Sequence, residues 1–367
     1  MKNPALNSRR KFLKRSLSGG AALSAVPVVG FGLSPTTSPV KTRPVPRLPC
    51  SIYMSAGLDE NFEKEVMAIS PQITLQKDLE GPDRKSALEH ADIHFGQIRP
   101  EDLTQAKNLS WVQSVSAGVE HQLYPEFVQS NVQLTNAKGC YAPAIAEHTI
   151  GLLFSLTRKI GGQIRNMGQH QWDGSGDQLE MKNLTMGIVG FGGIGRQIAR
   201  RARAMDMRIV AADIQGLYQE QIGDTCDEML HVDEGGLQKL LEQSDVVVCA
   251  APHTPRSQGM FATEQFQQMK PGAYFINVSR GKLVDTDALV AALRSGHLAG
   301  VGLDVTNPEP LPADHPLWDF ENVTITSHIS GRSQYSWERL QSVFVENVRR
   351  YIYGLEMMNL VDKGAGF

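Results

Sequence analysis

The chain has 367 residues, a length typical of about two domains and sufficient to bury more than one hydrophobic core. Hydrophobic residues make up 41% of it and charged residues 20%, which is typical of a globular protein. Its formal net charge of −3 gives no electrostatic reason to expect a nucleic-acid partner.

The basic charge is concentrated at the N-terminus. Residues 1–47 contain nine Lys or Arg residues and no Asp or Glu. The pair Arg9-Arg10 precedes a weakly apolar stretch over residues 16–33, the order found in export signals. This leader is similar to a twin-arginine (Tat) signal, which the twin-arginine translocation machinery reads. We therefore expect a signal peptide and linker over residues 1–47 and a periplasmic or otherwise exported protein. The alternative is a disordered basic arm on a cytoplasmic protein.

The apolar stretch does not predict a membrane span, and the cysteines do not predict a metal site. Glycine and proline interrupt the stretch, whereas a membrane span needs about 20 predominantly apolar residues, so no stable span is predicted. The spacing of Cys50, Cys140, Cys226 and Cys249 is not that of metal ligands, and no His, Asp or Glu cluster suggests a metal. Cys249 lies in an apolar run, as a buried thiol does. A disulfide among the four remains open.

Apolar segments alternate with helical patterns through the rest of the chain. Predicted strands cover residues 51–54, 91–95 and 111–115, and apolar spacing predicts a long helix over residues 144–160. A second series of predicted strands follows, at residues 185–189, 208–212, 245–250, 273–278, 300–305 and 323–326. The last predicted helix covers residues 336–353. Strands that alternate with helices indicate an α/β fold with parallel sheets.

A glycine-rich segment directly follows the first strand of the second series. It reads Gly190-Phe191-Gly192-Gly193-Ile194-Gly195 and runs into a predicted helix over residues 196–204. In this context the pattern predicts a dinucleotide-binding loop: Gly190 allows the turn, Gly192 lets the backbone approach a pyrophosphate, and Gly195 lets the helix pack closely. The pyrophosphate is expected at the helix N-terminus.

The next predicted strand leads directly to Asp213. The spacing from the glycines is that of the carboxylate which binds a ribose 2′-hydroxyl. A carboxylate at this point repels a 2′-phosphate, so the sequence favours NAD over NADP. Methyltransferases also combine a glycine-rich loop with an acidic residue, and the catalytic residues must therefore decide the class.

Three later strands end in polar residues, at the sheet edge where open α/β folds bind ligands. The segments are Asn277-Val278-Ser279-Arg280-Gly281, Leu303-Asp304-Val305 with Glu309-Pro310, and Thr326-Ser327-His328. Together with the glycine loop, they resemble the D-isomer-specific 2-hydroxyacid dehydrogenase family over nearly the whole chain after residue 51. Residues 310–318 are most similar to its glyoxylate/hydroxypyruvate reductase branch.

The resemblance implies two Rossmann-like α/β domains. A parallel-sheet, NAD-binding Rossmann domain over residues 146–326 would be inserted in a discontinuous, flavodoxin-like substrate domain, residues 48–145 plus 327–367. It also implies a homodimer formed through the cofactor domains.

The resemblance further implies a role for each polar residue. His328 would protonate the substrate carbonyl oxygen and remove that proton in reverse, a task for which imidazole is suited because it titrates near neutral pH. Glu309 would hold the other ring nitrogen, and Arg280 would bind the substrate carboxylate. The substrate would also meet backbone N–H groups of Ala117, Gly118 and Val119. Cofactor contacts would come from Gly190, Gly192, Gly193, Ile194, Gly195, Asp213, Pro252, Thr254, Val278 and Asp304.

These features predict an NAD-dependent oxidoreductase that transfers a hydride between the cofactor and a small 2-hydroxy or 2-oxo acid. An alternative is a catalytically inactive NAD(H)-binding sensor or interaction protein on the same fold. Another alternative is an enzyme for a phosphorylated hydroxy acid or formate. Export through the twin-arginine machinery would allow the protein to fold around NAD before it crosses the membrane.

Overall fold

The structure is a computed structural model that describes residues 46–77, 79–174, 176–214 and 225–367. The expected Tat-like signal and most of its linker, residues 1–45, lie outside the described residues. Within the described ranges, no helix combines the length and the apolar character that crossing a membrane requires.

The strands of the described residues belong to two separate sheets. The first sheet contains β1 Cys50–Met54, β2 Ile73–Lys77, β3 Ile93–Phe95, β4 Trp111–Gln113 and β5 Gln133–Thr135. The second contains β6 Thr185–Val189, β7 Arg208–Asp213, β8 Glu228–His231, β9 Val246–Cys249, β10 Ala273–Asn277, β11 Leu298–Leu303 and β12 Val323–Ile325.

The α-helices of the described residues alternate with these strands. They are α1 Glu60–Ile69, α2 Gly81–His90, α3 Pro100–Leu103, α4 Pro125–Gln129, α5 Ala142–Thr157, α6 Ile160–Gly168, α7 Gly193–Arg203, α8 Gly236–Gln243, α9 Thr263–Gln268, α10 Thr286–Arg294 and α11 Ser336–Ile352. The long helix predicted over residues 144–160 was wrong at its end. Lys159 adopts a left-handed backbone (φ 56°), and this residue separates α5 from α6.

The first sheet has the strand order β2-β1-β3-β4-β5, and all its pairings are parallel. This is the flavodoxin-like order, whose switch point lies between β1 and β3. Helix α11 follows the second sheet in sequence, yet it packs on the first. Phe344 of α11 lies 4.4 Å from Phe95 between ring centroids and 5.8 Å from Trp111. The first lobe is therefore discontinuous, as predicted.

The second sheet has the strand order β12-β11-β10-β9-β6-β7-β8, again entirely parallel. The chain adds β7 and β8 on one side of β6 and β9 to β12 on the other, so the strand order reverses between β6 and β9. This is the switch point of a Rossmann fold. Every residue of β6 and β9 is buried, as expected for central strands covered on both faces. The predicted α/β architecture with two parallel sheets is confirmed, and the four cysteines are free and buried.

A buried histidine makes the first lobe sensitive to acid. His94 in β3 is fully buried, its Nε2 lies 2.8 Å from the Ser55 hydroxyl, and burial lowers its pKa from 6.5 to about 4. The charge of Arg84 acts in the same direction, whereas that of Asp102 opposes it. The pKa of His94 is lower in the folded protein than in the unfolded chain, so below pH 6.5 the unfolded chain binds the proton more readily. The free energy of unfolding is therefore highest above pH 6.5 and decreases as the pH falls towards 4.

We expect His94 to account for a loss of about 3 kcal/mol in unfolding free energy between pH 6.5 and pH 4. Urea unfolding of the leader-free protein, followed across this pH range, measures the loss. A His94→Gln variant should show a shallower dependence, while the exposed His90→Gln control should follow the parent. Equal pH dependence in parent and His94→Gln would contradict this assignment.

Candidate active site

The glycine loop links the central strand β6 to helix α7. Gly190 has a φ of 92°, and a Cβ at this residue would lie 2.6 Å from backbone atoms of Ala251. A Cβ at Gly195 would lie 2.3 Å from the carbonyl oxygen of Gly190. Both positions therefore require glycine. A Cβ at Gly192 would meet nothing within 4 Å, so the loop is open on that side.

Helix α7 directs its N-terminus towards this open side. Gly192 is the N-cap residue, Gly193 and Ile194 are the first helical residues, and no described side chain caps the helix. The first N–H groups of a helix lack intrahelical acceptors, and the helix dipole favours an anion there. The loop and helix together fit the pyrophosphate of a dinucleotide.

Asp213 lies beside the glycine loop. It is the last residue of β7, which pairs with β6, and its Oδ2 accepts a hydrogen bond of 2.7 Å from the Phe191 backbone N–H. This contact places a carboxylate at the end of the strand next to the loop. That is the position at which a ribose hydroxyl meets a Rossmann fold.

The remaining predicted cofactor residues follow neighbouring strands at the same edge. Pro252 and Thr254 follow β9, Val278 directly follows β10, and Asp304 directly follows β11. Because all four strands including β6 run parallel, these residues share one edge of the sheet with the glycine loop. The side chain of Val278 is buried, and Pro252 is exposed.

Asp304 is the central acceptor of a buried polar network. Its Oδ1 accepts hydrogen bonds from the Thr326 hydroxyl (2.7 Å) and the Ile329 N–H (3.0 Å), and its Oδ2 accepts one from the Ser330 N–H (3.0 Å). Burial alone would raise the pKa of Asp304, but these hydrogen bonds lower it below its usual range. The ionised carboxylate thereby holds the loop that carries His328.

The network continues to helix α5. His148 Nε2 lies 2.8 Å from the Thr326 hydroxyl oxygen and 3.6 Å from Asp304 Oδ1. Because the Thr326 hydroxyl proton is donated to Asp304, His148 Nε2 must be the donor to Thr326. His148 thus connects α5 to the loop after β12, a contact that its position in the sequence did not reveal.

His328 and Glu309 form a close pair. His328 Nδ1 lies 2.7 Å from Glu309 Oε1, and the two side chains are 45% and 41% exposed, so the pair is open to solvent. The His328 backbone is left-handed (φ 52°), and its N–H donates to the Asp304 carbonyl oxygen at 2.8 Å. Nε2 has no hydrogen-bond partner among the described residues. Nε2 is therefore free to bind a ligand, while the hydrogen bond from Nδ1 to Glu309 fixes the orientation of the ring.

Arg280 lies where the two lobes meet. Its Nε donates to Glu120 Oε1 at 2.5 Å, and its Nη1 donates to the Ser279 carbonyl oxygen at 2.8 Å. A Cβ at Gly118 would lie 2.0 Å from Arg280 Nη2, so a larger residue at this position would displace the guanidinium. Burial alone would raise the pKa of Glu120, but the charge and hydrogen bond of Arg280 lower it below its usual range.

Glu120 is the residue that sequence reasoning missed. It directly follows the predicted substrate loop Ala117 to Val119, and an acidic residue beside an anion-binding loop was the available signal. Within that loop, the Ala117 carbonyl oxygen accepts a hydrogen bond of 2.8 Å from Asn136, and the Val119 side chain is buried. The loop is therefore anchored on both sides of Gly118.

The segment that carries Arg280 packs against the loop after β11, which carries Glu309. A Cβ at Gly281 would lie 1.9 Å from the Thr306 carbonyl oxygen, and the Asp304 N–H donates to the Asn277 carbonyl oxygen at 3.0 Å. The strand ends that carry the predicted catalytic residues are thus packed against one another. A cation, a histidine with its carboxylate, and a glycine loop share one edge of the second sheet.

Known proteins are similar to this chain in sequence and fold. The family model for the NAD binding domain of D-isomer specific 2-hydroxyacid dehydrogenases matches residues 150–330. A glyoxylate reductase from Thermofilum pendens is 34% identical over 73% of this chain and 79% of its own.

Two solved structures have the same fold. A family protein from Aeromonas salmonicida is 30% identical, with a TM-score of 0.74 over 86% of this chain and 99% of its own. The family enzyme from Xanthobacter autotrophicus, solved with NADPH and MES, is 25% identical, with a TM-score of 0.74 over 87% of this chain and 99% of its own. The chain belongs to the D-isomer specific 2-hydroxyacid dehydrogenase family, as an oxidoreductase with an NAD(P)-binding Rossmann domain that acts on a CH–OH group.

Proposed function

We propose that this protein interconverts a small 2-oxo acid of the glyoxylate or hydroxypyruvate type and its 2-hydroxy acid, with NAD(H) as the cofactor. The observation that carries the proposal is the His328–Glu309 pair, which shares a sheet edge with Arg280 and the glycine loop. The similarity to a glyoxylate reductase supports the choice of substrate.

In the proposed reaction, the bound nicotinamide supplies the hydride for the carbonyl carbon. Arg280 binds the substrate carboxylate through Nη2, and Glu120 keeps the guanidinium in place. The backbone N–H groups of Ala117 to Val119 face the same carboxylate. His328 donates the Nε2 proton to the carbonyl oxygen, so that one hydride and one proton convert the 2-oxo group to the alcohol. In the reverse direction the same nitrogen removes the hydroxyl proton.

The test is to mix the leader-free protein with NADH or NADPH and each of a panel of 2-oxo acids. Oxidation of the cofactor is followed by the loss of its absorbance. We expect oxidation of NADH by glyoxylate or hydroxypyruvate. If NADH binds but no 2-oxo acid is reduced, the inactive sensor or a formate-type substrate becomes the better account.

We propose NAD rather than NADP because of the Asp213 carboxylate. A 2′-phosphate at the end of β7 would meet this negative charge, whereas a 2′-hydroxyl can donate a hydrogen bond to it. The family enzyme from Xanthobacter autotrophicus was solved with NADPH, so the preference varies among relatives and needs its own test.

Replacing Asp213 with serine is expected to reduce the preference for NADH over NADPH, expressed as the ratio of kcat/KM values, by about tenfold or more. Serine removes the repulsion and keeps a polar group for the Phe191 N–H. The Asp227→Ser variant serves as the control. Asp227 directly precedes β8, the strand that pairs with β7, and its carboxylate also accepts a hydrogen bond from a backbone N–H. An unchanged ratio in Asp213→Ser would mean that Asp213 does not face the ribose.

We further propose a homodimer formed through the cofactor domain. Ile160, Ile164 and Met167 of α6 have helical spacing on one face and are 45%, 59% and 71% exposed, and the nearby Trp172 is fully exposed. Exposed apolar side chains grouped in this way are typical of protein interfaces, which supports the proposal. Light scattering should give twice the monomer mass, and Ile164→Glu should give a monomer. A monomeric parent protein would remove the proposal.

We also propose that residues 1–47 direct export through the twin-arginine machinery. The arginine pair and the concentration of positive charge support this. Replacing Arg9 and Arg10 with lysine should keep the protein in the cytoplasm, as fractionation would show. A parent protein that is itself cytoplasmic, with its leader uncleaved, would exclude export.

A further inference from the structure

Among the described residues, two side-chain hydrogen bonds join helix α5 to β12 and the residue after it. His148 Nε2 lies 2.8 Å from the Thr326 hydroxyl oxygen, and Ser155 Oγ lies 2.9 Å from the Thr324 hydroxyl oxygen. Residues 148 and 155 are about two helical turns apart, and residues 324 and 326 lie on the same side of an extended chain. The two hydrogen bonds are therefore equivalent as links between the helix and the strand.

The hydrogen bond of His148 leads on to residues 327–330, which we call the catalytic loop. Thr326 donates its hydroxyl proton to Asp304 Oδ1 at 2.7 Å. The same carboxylate accepts from the backbone N–H groups of the two residues that directly follow His328, at 3.0 Å each. The N–H of His328 itself donates to the Asp304 carbonyl oxygen at 2.8 Å. A chain of hydrogen bonds thus runs from α5 to the backbone around the proposed general acid.

The backbone of His328 depends on such support. Its φ of 52° lies in the left-handed region, which is unfavourable for a residue with a side chain and persists only where the surrounding structure holds it. The side chain is 45% exposed, so packing contributes little to its position. The hydrogen bonds to Asp304 and Glu309 therefore decide where Nε2 of His328 points.

His148 determines which way the Thr326 hydroxyl donates. A hydroxyl group has one proton, which can go either to the Asp304 carboxylate or to a ring nitrogen that carries no proton. Because His148 donates from Nε2, the Thr326 proton is directed to Asp304. The same N–H lies close to the carboxylate, with 3.6 Å between Nε2 and Asp304 Oδ1. Removing His148 would leave the Thr326 hydroxyl free to rotate and weaken the attachment of the catalytic loop.

His148 also lies near the start of the helix that connects the two lobes. α5 begins at Ala142, and the preceding Tyr141 donates its hydroxyl proton to the Val115 carbonyl oxygen of the first lobe at 2.5 Å. Val115 lies two residues before the predicted substrate loop. His148 follows less than two helical turns after Ala142. The helix therefore contacts the segment before the substrate loop at its start and the catalytic loop through His148.

We propose that His148 is a positioning residue of the enzyme: through Thr326 and Asp304 it holds the catalytic loop, so that the general acid meets the carbonyl oxygen of the bound 2-oxo acid. The inference rests on the proposed function and adds a residue to its machinery. His148 does not touch the substrate in this arrangement. Its loss should therefore slow the chemical step and leave the binding of the acid unchanged.

Replacing His148 with leucine tests the proposal in the full-length protein, with the 2-oxo acid that the parent reduces fastest. We expect the rate of hydride transfer, measured by stopped flow, to fall by about tenfold, because a small displacement of a catalytic group is costly. KM for the acid should stay within about twofold of the parent value. His148→Gln should recover most of the rate, because the glutamine amide N–H can donate to the Thr326 hydroxyl. Thr326→Val should reproduce the effect of His148→Leu.

Ser155→Ala is the matched control. It removes the equivalent hydrogen bond between the same helix and strand, and no hydrogen bond among the described residues links Thr324 to the catalytic loop. We expect its rate of hydride transfer and its KM to match those of the parent. NADH binding, measured by fluorescence, shows that each variant is folded. A loss of rate as large in Ser155→Ala as in His148→Leu would mean that helix packing alone is responsible, and would overturn the proposal.

A double variant shows whether His148 acts through His328. In the His328→Ala background no general acid remains to be positioned, so the addition of His148→Leu should lower the rate of hydride transfer no further. A further loss of about tenfold would mean that His148 affects the reaction by another route, which contradicts a positioning role.

The remaining outcomes separate this inference from the proposed function. If the parent reduces glyoxylate or hydroxypyruvate and His148→Leu transfers hydride at the parent rate, the positioning role alone is wrong. A raised KM with an unchanged rate of hydride transfer would place His148 in substrate binding and also overturn the role. If the parent reduces no 2-oxo acid, the proposed function fails and the positioning role with it.

Discussion

Replacing His328 with alanine is expected to lower kcat by about a hundredfold to ten-thousandfold, the usual contribution of a positioned general acid. Alanine removes the nitrogen that would protonate the carbonyl oxygen. The residue lies in a loop held by backbone hydrogen bonds to Asp304, so the loop should keep its shape. Stopped-flow measurement of hydride transfer, with NADH binding measured separately, gives both quantities.

NADH affinity should stay nearly unchanged in this variant, because the hydrogen bonds of His328 go to Glu309 and Asp304 and not to the glycine loop. Glu309→Gln should cause a smaller loss and change the pH profile of kcat, since Glu309 acts through the His328 ring. Turnover in His328→Ala comparable with that of the parent would remove the general-acid assignment.

Replacing Arg280 with glutamine is expected to lower kcat/KM by on the order of a hundredfold or more, because the substrate carboxylate loses its charged hydrogen bonds. Arg280→Lys should recover only part of the loss, since lysine keeps the charge without the planar donor fork. The loss should appear mainly in KM, because the carboxylate is bound in the ground state as well as in the transition state.

The control for this series is Arg203→Gln, which removes a surface arginine paired with Asp227. It should leave both kcat and KM unchanged. Glu120→Gln should raise KM less than Arg280→Gln does, because Glu120 positions the guanidinium and does not bind the substrate. A normal KM in Arg280→Gln would place the carboxylate at another group.

The three strands that the sequence did not predict all lie at sheet edges. The central strands β6 and β9 are buried throughout and appear in the sequence as continuous apolar runs. β2, β5 and β8 were not predicted, and each lies at the edge of its sheet. β2 buries only Ile73, and β8 buries no residue fully. An edge strand is stabilised by pairing along one side, which leaves little trace in hydropathy.

The glycine loop was predictable because its function depends on adjacent residues. A strand, a turn with positive φ and a helix N-terminus follow one another within residues 185–203, so the local sequence alone determines their chemistry. The acidic residue Asp213 was found for the same reason, since it ends β7, the next strand after the loop and its helix.

The pairing of Arg280 with Glu120 and that of Arg84 with Asp102 were decided only by the tertiary structure. Glu120 lies 160 residues from Arg280 in sequence, and Arg84 lies 18 residues from Asp102. No local pattern records such contacts, because they arise when parallel strands bring their carboxyl ends to one edge. The sequence by itself determined the fold class and the dinucleotide loop, whose physics is local. The partners of the catalytic residues depend on contacts between distant segments, which form only when the two sheets are assembled.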